Sequence, residues 1–168
     1  MIHDSRIKHK KMIEEKMEEI IKILRKRHWT IGVMESCTGG AVANCITNIP
    51  GASDVFKEGK VTYSDEAKIR SGVDEKIIRK WGVYSIEVAE EMARKIDQPK
   101  AGTFRRAGVG VGVTGNFPGE VYIAVRIGKK IESIKFKVES KNKNKIKARK
   151  EMKEQVVEKV VGMIIENI

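Results

Sequence analysis

The stretch MESCTGGAVAN, Met34 to Asn44, puts a carboxylate, a hydroxyl, a thiol, a second hydroxyl and two glycines side by side. It follows the apolar run WTIGVM and precedes small helix-forming residues, which reads as a strand, a glycine turn and a helix start. Ser36 at such a junction has physical advantages as a nucleophile. The unpaired N–H groups of a helix's first turn can stabilise an oxyanion, and the helix dipole lowers the cost of negative charge. A serine hydroxyl is nevertheless a poor nucleophile at neutral pH without a base. The segment TYSDEAK offers one: Tyr63 is read at the end of a strand and Lys68 in the first or second turn of the next helix. Burial and the positive end of that helix both push a lysine pKa downward, toward a value useful for a base. Ser36, Tyr63 and Lys68 together would hydrolyse an amide without histidine. On spacing alone the alternatives stay open. Ser36 can be an N-cap, Tyr63 a strand residue with its hydroxyl in solvent, and Lys68 a solvated helix lysine. Cys37 is either a rival nucleophile in the same field or a small buried filler.

Other chemistry is excluded more firmly. GVGVTG, Gly110 to Gly115, matches the dinucleotide-binding template by letter, but that template needs a helix immediately after it. Asn116, Phe117, Pro118 and Gly119 follow instead, a turn into another strand. No phosphate-binding loop of the G-x-x-x-x-G-K-[ST] type is present. His3, His9 and His28 have no cysteine or carboxylate at ligand spacing, so the sequence predicts no metal and no cofactor.

The elements that must position these residues are legible in the hydrophobic pattern. Met12, Ile13, Met17, Ile20, Ile21 and Leu24 recur at helical spacing and predict an amphipathic helix over 8–27. GKVTYS reads as a second strand, and Ser64, Asp74 and Ser85 as caps of three successive helices, with Gly82 stopping the second. AGVGVGVT, Ala107 to Thr114, is a strand with glycine at every second position, so one face admits close backbone approach. GEVYIAVRIGKKIESIKFKV predicts a hairpin turning near Gly128 and Lys129, and a last helix runs from about Lys147 to Ile165. Strands alternating with helices and ending in a hairpin give a single three-layer α/β/α domain over 1–168, with a mixed, mostly parallel sheet.

The 168 residues suffice for one sizeable core. No apolar run reaches the roughly 18 residues of a membrane span and the charged start does not resemble a signal peptide, which predicts a cytoplasmic protein with reduced Cys37 and Cys45. The net charge of +11 makes nucleic acid a partner to consider, with the positive charge gathered in ILRKRHW and in KNKNKIKARK, Lys141 to Lys150. Neither run has interleaved aromatics for base stacking, so both read as solvated faces.

Taken together, GVMESCTGGAVANCITNIPGASDVFKEGKVTYSDEAKIRSGV, WGVYSIEVAEEMARKI, GVGVTG and GEVYIAV closely resemble the CinA C-terminal domain family over roughly residues 15 to 165. The resemblance implies the activity of the PncC-type members, deamidation of nicotinamide mononucleotide to nicotinate mononucleotide and ammonia. It implies the same three-layer fold, no metal and a homodimer acting on a small nucleotide. By motif, the family's catalytic serine, tyrosine and lysine fall on Ser36, Tyr63 and Lys68. Backbone N–H groups from Cys37 through Thr38 and Gly39 to Gly40 become candidates for the oxyanion hole, and Thr38, Thr114 and Gly115 for the ribose phosphate or the ring. The sequence departs from the family in two places. The loop after GVTG is trimmed to Asn116, Phe117 and Pro118, which would open the pocket, change the substrate or abolish activity. Asp65 replaces the usual asparagine and would favour a charged Lys68. Nothing of the separate N-terminal domain of full-length CinA is carried over.

Overall fold

In the computed structural model, residues 2–96 and 106–168 are described, with side chains over 7–96 and 108–168. Helix α1 (Ile2–Arg27) buries Met17, Ile20, Ile21 and Leu24 of the predicted stripe, with Ile13 partly buried and Met12 at its edge 37% exposed. Strand β1 (Trp29–Glu35) is buried almost throughout, as a central strand must be. After it come α2 (Ala41–Thr47), β2 (Phe56–Val61), α3 (Asp65–Arg70), α4 (Glu75–Trp81) and α5 (Ile86–Ile96). The chain then forms β3 (Arg106–Gly115), β4 (Gly119–Ile127), β5 (Lys130–Val138) and α6 (Lys145–Asn167).

The strands make one open sheet in the order β2-β1-β3-β4-β5. It is mixed, as the sequence predicts: β1 pairs in parallel with β2 and β3, while β3–β4 and β4–β5 are antiparallel. The β4–β5 hairpin turns at Gly128 and Lys129, with Ile127 opposite Lys130. Alternation along each strand sends Ile31, Val33, Val109, Val111, Val113, Val121, Ile123 and Val125 to one face, against α1, α2 and α6. Met34 faces the other way, into a cluster with Val73, Val88, Met92 and Ile96 of the layer containing α4 and α5.

The alternating glycines of β3 have a definite occupant. A Cβ at Gly110 would stand 2.1 Å from the carbonyl oxygen of Ala93, and one at Gly112 would stand 2.0 Å from that of Ala89. Helix α5 therefore lies directly on the strand backbone, seated through its own small residues Ala89 and Ala93. Caps form as expected: Ser64 Oγ accepts from Ala67 N–H, Asp74 Oδ1 from Lys76 N–H, and Ser85 Oγ from Val88 N–H. The second strand differs from its predicted span. It begins three residues earlier, at Phe56, and ends at Val61; Thr62 follows, with its N–H and its hydroxyl both on the carbonyl oxygen of Glu35 (2.7 and 3.4 Å). Tyr63 thus stands beyond the strand rather than at its end.

Candidate active site

The site gathers where β1 and β3 end at the same edge of the sheet. Ser36 is the residue after β1, held in place by its N–H donating to Val113 of β3 at 2.9 Å. A tight turn follows. Gly39 N–H returns to Ser36 O at 3.0 Å and Ala41 N–H to Thr38 O at 3.3 Å, with Gly39 and Gly40 in the left-handed region (φ 59° and 96°) that favours glycine. Helix α2 starts only at Ala41, with Gly40 as its N-cap, so Ser36 is not the cap that its position in the sequence allowed.

Glu35 does the capping. Its buried carboxylate reaches forward over the turn and accepts from Val42 N–H (Oε2, 3.0 Å) and Ala43 N–H (Oε1, 2.9 Å). Two of the first-turn donors that the sequence offered to an oxyanion are therefore occupied. The carboxylate also fixes the direction in which α2 leaves the sheet, and with it the turn that carries Ser36.

Lys68 comes from α3, which Ser64 caps and which the short connection from β2 delivers to the end of β1. Its side chain is only 1% exposed. The amine donates to Thr62 O at 3.0 Å and lies 3.3 Å from Ser36 Oγ. Burial lowers its pKa below the ordinary lysine value; Asp65, and next the Cys37 sulfur, act in the opposite direction and are outweighed. The charge introduced by Asp65 therefore has the predicted sign but does not decide the outcome. A neutral amine with one N–H on Thr62 O has its lone pair free for a proton from Ser36.

The structure brings Ser36 and Lys68 together, and does not bring Tyr63 to them. Tyr63 is 62% exposed and its hydroxyl accepts from Arg149 Nη2 of α6 at 2.8 Å. Cys37 is buried and its thiol is pushed up to about 12, chiefly by desolvation and further by Glu35, so it is a neutral filler at physiological pH. Thr38 is fully buried, and its Oγ1 is without a hydrogen-bond partner among the described residues. The Thr114 hydroxyl donates to Val83 O at 3.0 Å and so ties β3 to the segment before α5. Gly115 (φ 154°) packs its backbone against β4, where a Cβ would meet Glu120 O at 2.6 Å. Both thus carry structural duties at the positions where the resemblance suggested ligand contacts.

Four residues at this site escaped the sequence reading: Glu35 as a cap, Phe117, Arg149 and Lys153. Phe117, in the trimmed loop, is 7% exposed and lies under the Arg149 guanidinium, 5.4 Å from its ring centroid. The short loop is thus folded down against α6. Arg149 belongs to the basic run read as a solvated face. Lys141, Lys143, Lys145, Lys147 and Lys150 are indeed exposed, but Arg149 turns inward. The available signal was spacing: Arg149 and Lys153 are i and i+4 on one helix face. No helix among the described residues is long and apolar enough to cross a membrane, and no group of three or more metal-ligating side chains is found among them.

Comparison with known proteins agrees with this architecture. A sequence model of the CinA C-terminal domain matches residues 13–167. A CinA-like protein of Kosmotoga olearia is 40% identical over 146 residues, 83% of this chain and 35% of that protein. A competence-damage inducible protein of Caldicellulosiruptor saccharolyticus is 37% identical over 126 residues, 71% of this chain and 31% of that protein. The chain thus spans about a third of the length of these relatives. Among solved structures, the competence/damage inducible protein CihA of Agrobacterium tumefaciens superposes with a TM-score of 0.78 at 27% identity, covering 92% of this chain and 94% of that one.

Proposed function

The chain belongs to the CinA C-terminal domain family, and from that premise we propose that it is a serine amidase that hydrolyses the carboxamide of nicotinamide mononucleotide, giving nicotinate mononucleotide and ammonia. The observation that carries the reading is the buried Lys68 amine 3.3 Å from Ser36 Oγ, its pKa lowered by burial. The pair is buried, and a buried lysine with no ion pair among the described residues is costly unless the amine is neutral.

In this mechanism Ser36 Oγ attacks the carboxamide carbon while Lys68 Nζ takes the hydroxyl proton. Negative charge develops on the carboxamide oxygen. The turn offers N–H donors for it between Cys37 and Gly40, excepting that of Gly39, which is committed to Ser36 O. The tetrahedral intermediate collapses as the Lys68 ammonium returns its proton to the amide nitrogen, and ammonia leaves with an ester on Ser36. Water, deprotonated by the regenerated amine, attacks that ester; Ser36 Oγ recovers a proton from Lys68, and the carboxylate product is released. Thr62 O holds the amine in position through both steps.

One observation favours a second reading, a nucleotide-binding protein of the same fold without turnover: Tyr63 is directed to Arg149 and not to the serine–lysine pair. Ammonia release from nicotinamide mononucleotide by the wild type and by Ser36→Ala, at pH 7 to 9, separates the two. The amidase reading expects turnover that falls at least about a thousandfold in the variant, since a nucleophile and its base act as one unit. A folded wild type that binds the nucleotide and releases no ammonia leaves the second reading standing. A homodimer, implied by the family resemblance, is tested by light scattering of the same samples.

A further inference from the structure

The amidase mechanism uses the carbonyl of Thr62 and leaves its side chain without a part. Thr62 is 1% exposed, in the short stretch between β2 and α3, and its hydroxyl donates to the carbonyl oxygen of Glu35 at 3.4 Å. That oxygen already receives the Thr62 N–H at 2.7 Å, so the fold needs no second donor there. A valine would keep the branched shape, remove the hydroxyl and leave no polar group unpaired. Burying a hydroxyl costs free energy that a methyl does not, which points to a reason other than stability.

Thr62 stands between the two halves of the serine–lysine pair. Strands β1 and β2 run parallel and end level, with Glu35 opposite Val61, so the next residues, Ser36 and Thr62, leave the sheet side by side. The peptide unit joining Glu35 to Ser36 is held at both ends. Thr62 grips its carbonyl oxygen, and its N–H donates to Val113 O at 2.9 Å. Because a peptide unit is planar, those contacts restrict the orientation of the Ser36 backbone and so of its side chain. On its other side Thr62 O accepts from Lys68 Nζ at 3.0 Å, and that amine lies 3.3 Å from Ser36 Oγ. The contacts close a ring that runs from Ser36 through the Glu35 carbonyl, Thr62 and Lys68 back to Ser36. A single hydrogen bond from the Thr62 N–H would act as a pivot. A second, from its hydroxyl to the same oxygen, opposes rotation, because the β-branched side chain is stiff at χ1. The carbonyl that holds the Lys68 amine is thereby aimed.

Resting on the amidase reading above, we propose that Thr62 is a positioning residue of the reaction: its hydroxyl, together with its N–H, locks onto the Glu35 carbonyl and so holds the Lys68 amine in register with the Ser36 hydroxyl. Thr62 transfers no proton itself. It acts on the distance and direction over which the proton moves from Ser36 Oγ to Lys68 Nζ. Misplacement of a reacting group by about 1 Å costs about a hundredfold in rate. Loss of the hydroxyl alone, with the N–H bond retained, is a smaller disturbance. Its signature is a rate that falls while the fold does not weaken.

The test uses the full chain as wild type, Thr62→Val, Thr62→Ser and, as a matched control, Thr30→Val, a buried threonine near the other end of β1. Activation of Ser36 is read without any assumption about substrate, as the rate of labelling by a fluorophosphonate. In that reaction Ser36 Oγ bonds to phosphorus, fluoride leaves and Lys68 takes the proton; the product is located by mass spectrometry. Labelling is expected to slow about fivefold to fiftyfold in Thr62→Val, to return to within about threefold of wild type in Thr62→Ser and to be unchanged in Thr30→Val. In ammonia release from nicotinamide mononucleotide, kcat falls by a similar factor in Thr62→Val with KM within about twofold. Urea midpoints of Thr62→Val and wild type are expected to agree, because no buried group loses its last partner. Equal labelling of wild type and Thr62→Val overturns the proposal, as does a Thr62→Ser variant as slow as Thr62→Val. Slower labelling that comes with a lowered urea midpoint also overturns it, since the hydroxyl is then structural. Labelling slowed in Thr62→Val and restored in Thr62→Ser, with no ammonia from any of the proteins, keeps the positioning role and removes the amidase. Ammonia released equally by wild type and Thr62→Val keeps the amidase and removes the positioning role. A folded wild type that is not labelled at Ser36 removes the activated pair, and the role of Thr62 with it.

Discussion

Replacing Lys68 by methionine should change not only turnover but the pH dependence of stability, and the second effect can be worked out from the fold alone. A lysine whose folded-state pKa lies below its unfolded value of about 10.4 binds fewer protons folded than unfolded between those two values. Stability therefore rises with pH across that window, by at most about 1.4 kcal/mol per pH unit for a single group. Below the folded pKa the lysine carries the cost of being charged in a site where it is 1% exposed, with Thr62 O and Ser36 Oγ as its hydrogen-bond partners among the described residues. Lys68→Met keeps most of the side-chain volume and removes the titrating group. It also leaves the buried Thr62 carbonyl without its donor, a loss of about 1–3 kcal/mol that does not depend on pH. The measurement is urea denaturation of both proteins at half-unit steps from pH 6.5 to 10. Other lysines and tyrosines titrate equally in the two proteins, so the difference between their stabilities isolates Lys68. The wild type should gain on the variant as pH rises through the lowered pKa. Parallel curves across the whole range would mean that folding does not change the charge of Lys68, and the general-base role would fall with that. Turnover supplies the companion measurement: kcat/KM should rise with pH to a plateau reached below pH 10.5, and Lys68→Met should lose about a hundredfold to ten-thousandfold.

Three further outcomes follow from the same geometry. Glu35→Ala removes both carboxylate bonds to the head of α2 and should destabilise the protein by about 2–4 kcal/mol in urea denaturation; a change below about 0.5 kcal/mol would show that the cap holds nothing. Cys37, with its thiol pushed up to about 12 against an ordinary 9.0, should react with iodoacetamide at pH 8 about a thousandfold more slowly than a free cysteine thiol. Cys37→Ala should also retain turnover, and rapid labelling of Cys37 in native protein, read by mass spectrometry, would refute the buried-filler assignment. Tyr63→Phe should cost less turnover than Ser36→Ala, because the path from Ser36 Oγ to Lys68 Nζ is direct and the Tyr63 hydroxyl is on Arg149; equal losses in the two variants would place that hydroxyl in the proton path.

The parts of this molecule legible in its sequence are those set by neighbours close along the chain. The stripe Met17, Ile20, Ile21 and Leu24, the caps Ser64, Asp74 and Ser85, and the Gly128 turn each depend on contacts within a few residues, and each lies where the pattern puts it. Even Lys68 was within reach, because β2 and α3 return to the end of β1 through a short connection and the base must come from somewhere near it. Glu35 was harder. The same letters suit a carboxylate facing solvent beside a nucleophile, and only the left-handed turn at Gly39 and Gly40 folds α2 back so that Val42 and Ala43 present their N–H groups to it.

Helix α6 is where local reasoning stops. Its lysines and Arg149 have nearly the same surroundings in the sequence, and the direction each takes is decided by the rotation of the helix as Met152, Val156, Val160 and Ile164 seat themselves on the sheet. That rotation leaves Lys150 in solvent and turns Arg149 toward Phe117 and Tyr63, with Lys153 above Gly39. A run of basic residues therefore reads as uniform charge in the sequence and as a graded surface in the fold. Its outer members lie in solvent, and its inner members Arg149 and Lys153 are held half out of water by the apolar side of the same helix. The apolar residues of α6 thus do more than close the core. They set which cations stand beside the Ser36 turn, so a substitution such as Val156 or Val160 to a larger residue would act on that turn through helix rotation, without touching Ser36 or Lys68.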